Sequence, residues 1–171
     1  HPQFERLLAQ LEQPTTRLTA AQHWQRQYLE GWEAMYQGDN PKAARLLGEV
    51  ATKASDANLA KRAASTLMDV LGLSRRYREA YEIANRLARD LPSISDLRTR
   101  FLVLMNLSQM LDYAGQTDLA LRYARMMEDS IPSGESACRP RYLQAAALNN
   151  GKRLALGDPV LLLAIDACVK A

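Results

Sequence analysis

Few side chains in this chain of 171 residues have the chemistry of a nucleophile, a general base or a metal ligand. There are two histidines, His1 and His23, and two cysteines, Cys138 and Cys168. His1 is terminal. His23 stands between Gln22 and Trp24 in an amphipathic stretch, where a lone histidine reads as a surface or packing residue. No group of His, Cys and carboxylate residues has zinc-site spacing. The chain lacks a glycine-rich phosphate loop, a G-x-S-x-G turn and an H-E-x-x-H helix. Its carboxylates are scattered, with no pair that demands general acid/base work. No catalytic residue, cofactor or metal is expected, and the residue types point to binding.

The cysteines carry more information. Cys138 opens one expected helix and Cys168 lies near the end of the next. Antiparallel helices of one hairpin bring the start of the first beside the end of the second, which suits a disulfide. A bridge would close about 30 residues and add roughly 3–4 kcal/mol. The other reading is a pair of buried thiols, since free cysteine is commonly buried. A bridge implies an oxidising compartment, in a bacterium the periplasm; free thiols fit the cytoplasm.

The elements that position these residues are helices. Apolar residues recur at intervals of three and four, as in Phe4, Leu7, Leu8, Leu11, then Leu67, Val70, Leu71, then Leu104, Leu107, Leu111. The pattern predicts helices near 4–13, 19–37, 40–54, 57–73, 76–90, 95–114, 117–131, 138–155 and 159–170. Asp39, Ser74, Ser95 and Thr117 are the expected N-caps. Pro14, Pro41, Pro92, Pro132, Pro140 and Pro159 fall at expected boundaries or first turns. No run alternates with period two long enough to be a strand.

Three segments align with one another: Gly31 to Val50, Met68 to Leu87, and Ser108 to Met127. Each has a small or apolar residue in its first helix and, about a dozen residues later, an alanine in the second: Ala43, Ala80, Ala120. These alanines are 37 and 40 residues apart. Small residues let paired helices approach closely. The local sequence is Gly31…Ala34…Gly38-Asp39…Ala43…Leu47, then Leu71…Tyr77-Arg78-Glu79-Ala80…Ala84…Pro92, then Leu111…Gly115…Ala120…Ala124…Pro132. Residues 20–132 resemble the tetratricopeptide (TPR) repeat family, whose period is 34 residues. Gln27 and Glu30 depart from the family pattern, as does Met68 where a small residue is usual. The resemblance implies one all-α, TPR-like domain over 1–171. It would be a right-handed solenoid of about nine helices, with repeats near 20–55, 57–91, 95–132 and 138–171 and a capping helix near 4–13.

In that family the first helix of each repeat lines a concave groove. Carried over, the groove offers Gln25, Tyr28, Trp32, Met35 and Tyr36 from the first segment. The second offers Arg62, Ser65 and Asp69, and the third Met105, Gln109, Asp112 and Tyr113. The aromatic group suits a peptide or apolar anchor, although Tyr28, Trp32 and Met35 equally have core spacing. Arg62 and Asp69, two turns apart, suit a clamp on a polar ligand or simply face solvent. A peptide, protein or small-molecule signal is the implied partner, and a homodimer stays open.

Charge narrows the partners further. Net charge is +3, from 22 basic and 19 acidic residues with interspersed signs. The tightest basic group, Arg75, Arg76 and Arg78, falls in an expected turn, so nucleic acid is not an expected partner. The longest aliphatic run, Val160 to Ile165, is far short of the roughly 18 residues of a membrane span. The chain starts at His1 without Met and stops directly after an apolar helix, which predicts a fragment of a longer protein. The opening His1-Pro2-Gln3-Phe4-Glu5 matches the core of a streptavidin-binding tag and equally reads as native sequence; it carries no functional weight.

Three stretches resemble a narrower group. They are Thr19 to Asp39, with Trp24, Tyr28, Trp32 and Tyr36; Leu107 to Ala124, with Asp112-Tyr113-Ala114-Gly115; and Ser136-Ala137-Cys138 with Cys168 downstream. Together they are similar to extracytoplasmic TPR-like sensor regions that precede a transmembrane segment and a GGDEF diguanylate cyclase domain in bacteria. That resemblance implies a periplasmic sensor module. The alternatives are a cytoplasmic TPR adaptor, scaffold or regulatory arm, and a repeat-built enzyme such as a helical muramidase, which would need a glutamate at the groove centre.

Overall fold

The computed structural model describes residues 18–170, and the expected helix at 4–13 lies outside them. Among the described residues the fold is all-helical, with eight α-helices and no strand. They are α1 (Ala20–Tyr36), α2 (Asn40–Lys53), α3 (Ala57–Leu73), α4 (Tyr77–Asp90), α5 (Leu97–Tyr113), α6 (Thr117–Glu128), α7 (Cys138–Asn150) and α8 (Leu154–Val169). A short 3₁₀ turn, Leu91–Ser93, follows α4. None of these helices is long and apolar enough to cross a membrane.

The helices form four hairpins with one turn geometry. The amide of Asp39 donates to the carbonyl of Ala34, Arg76 to Leu71, Gln116 to Leu111, and Arg153 to Leu148, all at 2.8–2.9 Å. The residue before each donor has positive φ: Gly38 at 80°, Arg75 at 59°, Gly115 at 77° and Lys152 at 60°. This left-handed closure caps the carbonyls at the end of each first helix. The four turns recur at intervals of 37, 40 and 37 residues. They extend the repeat to the last hairpin, where Gly157 takes the place of Ala43, Ala80 and Ala120.

That register explains the packing. Ala43, Ala80 and Ala120 are each fully buried. A Cβ on Gly31 would lie 2.8 Å from Leu47 Cγ, so glycine sets the approach of α1 to α2. At the matching place in the third hairpin, Ser108 Oγ donates to the Ala120 carbonyl at 3.0 Å. Met68, at that place in the second, is buried without exposure. Gln27 is buried too, and its Nε2 donates to the Leu46 carbonyl at 3.2 Å and to Glu49 Oε2 at 3.1 Å. A polar residue is tolerated there because both partners are supplied.

Each helix packs on its successor, and the first helices α3 and α5 also pack directly on each other. Two apolar clusters result. One gathers Tyr28, Leu47, Val50 and Val70; the other gathers Leu87, Leu104, Leu107, Met110 and Met127. Ala51 and Leu67 touch both. The last helix is covered on one side only. Leu161 is 43% exposed, whereas its counterparts Leu47, Ala84 and Ala124 are buried.

Several expected boundaries moved. The helix expected at 138–155 ends at Asn150, because Lys152 turns left-handed and α8 starts at Leu154. Pro159 therefore sits inside α8 and not at its start. The helix expected to reach 131 stops at Glu128. Asp39 caps α2, accepting from the Lys42 amide. Ser74 instead ends α3, Asp96 replaces Ser95 as the cap of α5, and Thr117 is the first residue of α6 behind Gln116.

Candidate functional site

The 37, 40 and 37 register assigns the expected groove residues to shared positions on the first helices α1, α3, α5 and α7. Gln25, Arg62, Leu102 and Arg139 share one. Tyr28, Ser65, Met105 and Tyr142 share the next, then Trp32, Asp69, Gln109 and Ala146, and then Tyr36, Leu73, Tyr113 and Asn150. Successive positions are three or four residues apart and so run along one helix face.

On α1 the aromatic residues form a ladder that climbs out of the core. Tyr28 is 7% exposed and belongs to the first apolar cluster, and burial pushes its phenol up from the ordinary value. Trp32 is half-buried and packs on the same cluster. Tyr36 is 76% exposed. Ring centroids are 6.3 Å apart for Tyr28 and Trp32 and 5.6 Å apart for Trp32 and Tyr36. Only Tyr36 stands free for a partner, and Tyr28 acts as a core residue. Met35 packs on this cluster and Met105 on the other. Gln25 lines a separate shallow cleft beside Trp24, Asp56 and Leu59.

Ser65 is fully buried, so it serves the junction of α3 with α5. Its Oγ donates to the Arg62 carbonyl at 3.2 Å and accepts from Asn106 Nδ2 at 3.1 Å. Arg62 is half-buried, and its Nε finds no acceptor among the described residues.

The polar residues of interest gather toward the C-terminal half. Burial pushes the Asp69 carboxyl up from 3.8 to about 6, against the opposing pull of the Arg139 charge. Burial and the Asp69 charge together raise the Tyr113 phenol. Burial also raises Asp112, and a bond from Asn150 Nδ2 to Asp112 Oδ2 at 2.7 Å opposes it. Oδ1 of both Asp69 and Asp112 is enclosed without a donor among the described residues. An enclosed oxygen left unpaired costs on the order of 1–3 kcal/mol.

Next to these carboxylates, α5, α7 and α8 surround a cleft of ≈ 410 Å³. Gln109, Asp112 and Tyr113 line it from α5, Tyr142, Asn149 and Asn150 from α7, and Leu154, Asp158 and Leu161 from α8. That volume is within the range of small-molecule sites. Of the expected residues, the cleft brings together Gln109, Asp112 and Tyr113, and the Asp69 charge reaches Tyr113 from α3. The structure does not bring the α1 residues to them. Arg139, Tyr142 and Asp158 were not among the residues carried over from the resemblance. A 37-residue offset from the third segment, applied to the fourth, would have found the first two.

Cys138 and Cys168 are joined in a disulfide, with Cα atoms 4.6 Å apart. It ties the first turn of α7 to the last turn of α8. Arg141 Nε and Gln144 Nε2, one turn further along α7, both reach Glu128 at 2.9 Å. Among the described residues no three His, Cys, Asp or Glu side chains gather as a metal site. In the basic turn, Arg76 meets Glu79 at 2.6 Å and Arg78 meets Glu82 at 3.5 Å. Two of those three guanidinium groups already have carboxylate partners. No protein-family model, curated protein or solved structure matches this chain.

Proposed function

We propose that this chain is a binding module, the extracytoplasmic sensor region of a membrane-bound bacterial signalling protein, and that it regulates a C-terminal diguanylate cyclase. Its hairpins are read as TPR-like repeats stacked in a right-handed solenoid, with the groove facing the signal. The observation that carries the reading is the Cys138–Cys168 bond. A disulfide persists in an oxidising compartment and is rare in the cytosol. It locks α7 to α8, the last two of the described helices. A ligand drawn between α5, α7 and α8 would bias that hairpin, and a shift of packed helices is an established way to pass a signal.

The competing reading, a cytoplasmic adaptor, needs two free thiols. Intact mass separates the two. Protein exported to a bacterial periplasm is denatured and alkylated with and without reductant. The sensor reading expects a monomer whose two thiols stay blocked until reduction. Thiols that alkylate freely overturn it in favour of the adaptor. The output is tested in the full-length parent, where substitutions in the groove should change cyclic di-GMP synthesis while the cyclase domain is untouched.

A further inference from the structure

We propose that the cleft between α5, α7 and α8 is a site for an alkylammonium group, held by Asp112 and Asp158 between the rings of Tyr113 and Tyr142. The inference rests on the binding-module reading and names the chemistry its site would take.

Four observations carry it. The residues lining the cleft include two carboxylates, Asp112 and Asp158, and neither Lys nor Arg. Asp112 is held by Asn150 through one oxygen, while the other is enclosed with no donor. An incoming N–H donor with a positive charge supplies what Asp112 lacks, and such charge-assisted bonds are the stronger kind. Tyr113 and Tyr142 are each about half exposed, at 52% and 51%, so their faces are open to a cation. Leu154 and Leu161, exposed at 57% and 43%, offer an apolar wall for a short methylene chain.

An anion is disfavoured at the same place. It would meet Asp112 and Asp158 without a lining cation; Arg139, whose charge reaches both Asp69 and Tyr113, is not among the lining residues. A neutral alcohol could pack on the leucines but would leave the charge of the carboxylates unmatched.

The ammonium group has two sources, a free amine or a lysyl side chain on a peptide. The test is a titration of the disulfide-bonded protein followed by amide NMR. The probes are n-butylammonium, Nα-acetyl-lysine N-methylamide and n-butanol. We expect saturable shifts in α5, α7 and α8 with the ammonium probes and none with n-butanol. Asp158→Asn, at an exposed position, should weaken n-butylammonium by about tenfold or more with the thermal midpoint unchanged, and Asp112→Asn should weaken it likewise. Tighter binding of the lysine amide identifies a peptide as the source; tighter binding of butylammonium identifies a free amine. Equal shifts with n-butanol, no saturation below about 10 mM amine, or an unchanged affinity in Asp158→Asn each overturn the site. If the amine fails while the thiols stay blocked, the sensor reading stands alone; if the thiols are free while the amine binds, the cleft stands alone.

Discussion

Ser108 Oγ donates to the Ala120 carbonyl at 3.0 Å, joining α5 to α6. Ala120 itself has no exposed surface. A larger side chain has nowhere to go without separating the helices. Ala120→Leu is therefore expected to cost about 1–3 kcal/mol through overpacking. Ser108→Ala should cost only about 0.5–1.5 kcal/mol, since it removes one hydrogen bond. Urea unfolding of both variants measures the difference. A neutral Ala120→Leu would mean that the register relating Ala43, Ala80 and Ala120 is wrong.

The hairpin turns make a separate prediction. Two of the four use glycine at positive φ, but Arg75 and Lys152 adopt φ of 59° and 60° with full side chains. A left-handed residue with a Cβ is strained by roughly 1–2 kcal/mol, and glycine returns some of that as lost unfolded-state entropy. Arg75→Gly and Lys152→Gly should each stabilise the fold by about 0.5–1 kcal/mol. A fall in the thermal midpoint for either variant would contradict the common turn geometry.

The bridge between Cys138 and Cys168 spans 30 residues. Opening it releases a loop of that size into the unfolded ensemble. Reduction, or the pair Cys138→Ser with Cys168→Ser, should cost about 3–4 kcal/mol. Hydrogen exchange should quicken first in α8, which among the described helices packs chiefly on α7 and exposes most of its apolar side chains. Equal quickening in α1 and α2 would show that the bridge acts on the whole chain.

Asp69 predicts a pH dependence. Its carboxyl is raised to about 6 in the folded chain from an ordinary 3.8, so the folded state holds the proton more tightly. The contribution is fully present below pH 3.8 and is lost as pH rises to about 6. The charged form costs roughly 3 kcal/mol at neutral pH, with Arg139 as the nearby cation and Tyr113 as the neighbouring phenol. Asp69→Asn should raise stability at pH 7 by about 1–2 kcal/mol, change little at pH 4, and flatten the curve between. A gain of the same size at both pH values would assign the effect to packing instead of charge.

How far the groove could be read beforehand varied by residue. Asp69, Gln109, Asp112 and Tyr113 were carried over from the groove positions of the resembled family, and the repeat register places each on a first helix. Tyr28 and Ser65 were carried over too, yet both are buried, because neighbouring helices close over the inner part of the groove face. Spacing tells which way a residue points and not how deep its neighbours stand. Arg139 and Tyr142 escaped notice because the fourth hairpin has Gly157 in place of the marking alanine, so its register showed only in the shared turn geometry.

That this chain is helical, where most of its helices lie, and that Ala43, Ala80 and Ala120 mark buried places were all legible before folding. Those properties depend on local propensity, apolar periodicity and small-residue spacing, which a linear pattern carries. The pairing of Cys138 with Cys168 was one of two readings until α7 and α8 were seen side by side. The cleft beside Asp112, and the unpaired oxygens of Asp69 and Asp112, came from the tertiary structure alone. A cleft exists only where three helices leave space between them, and whether a carboxylate finds a donor depends on side chains distant in sequence, such as Asn150.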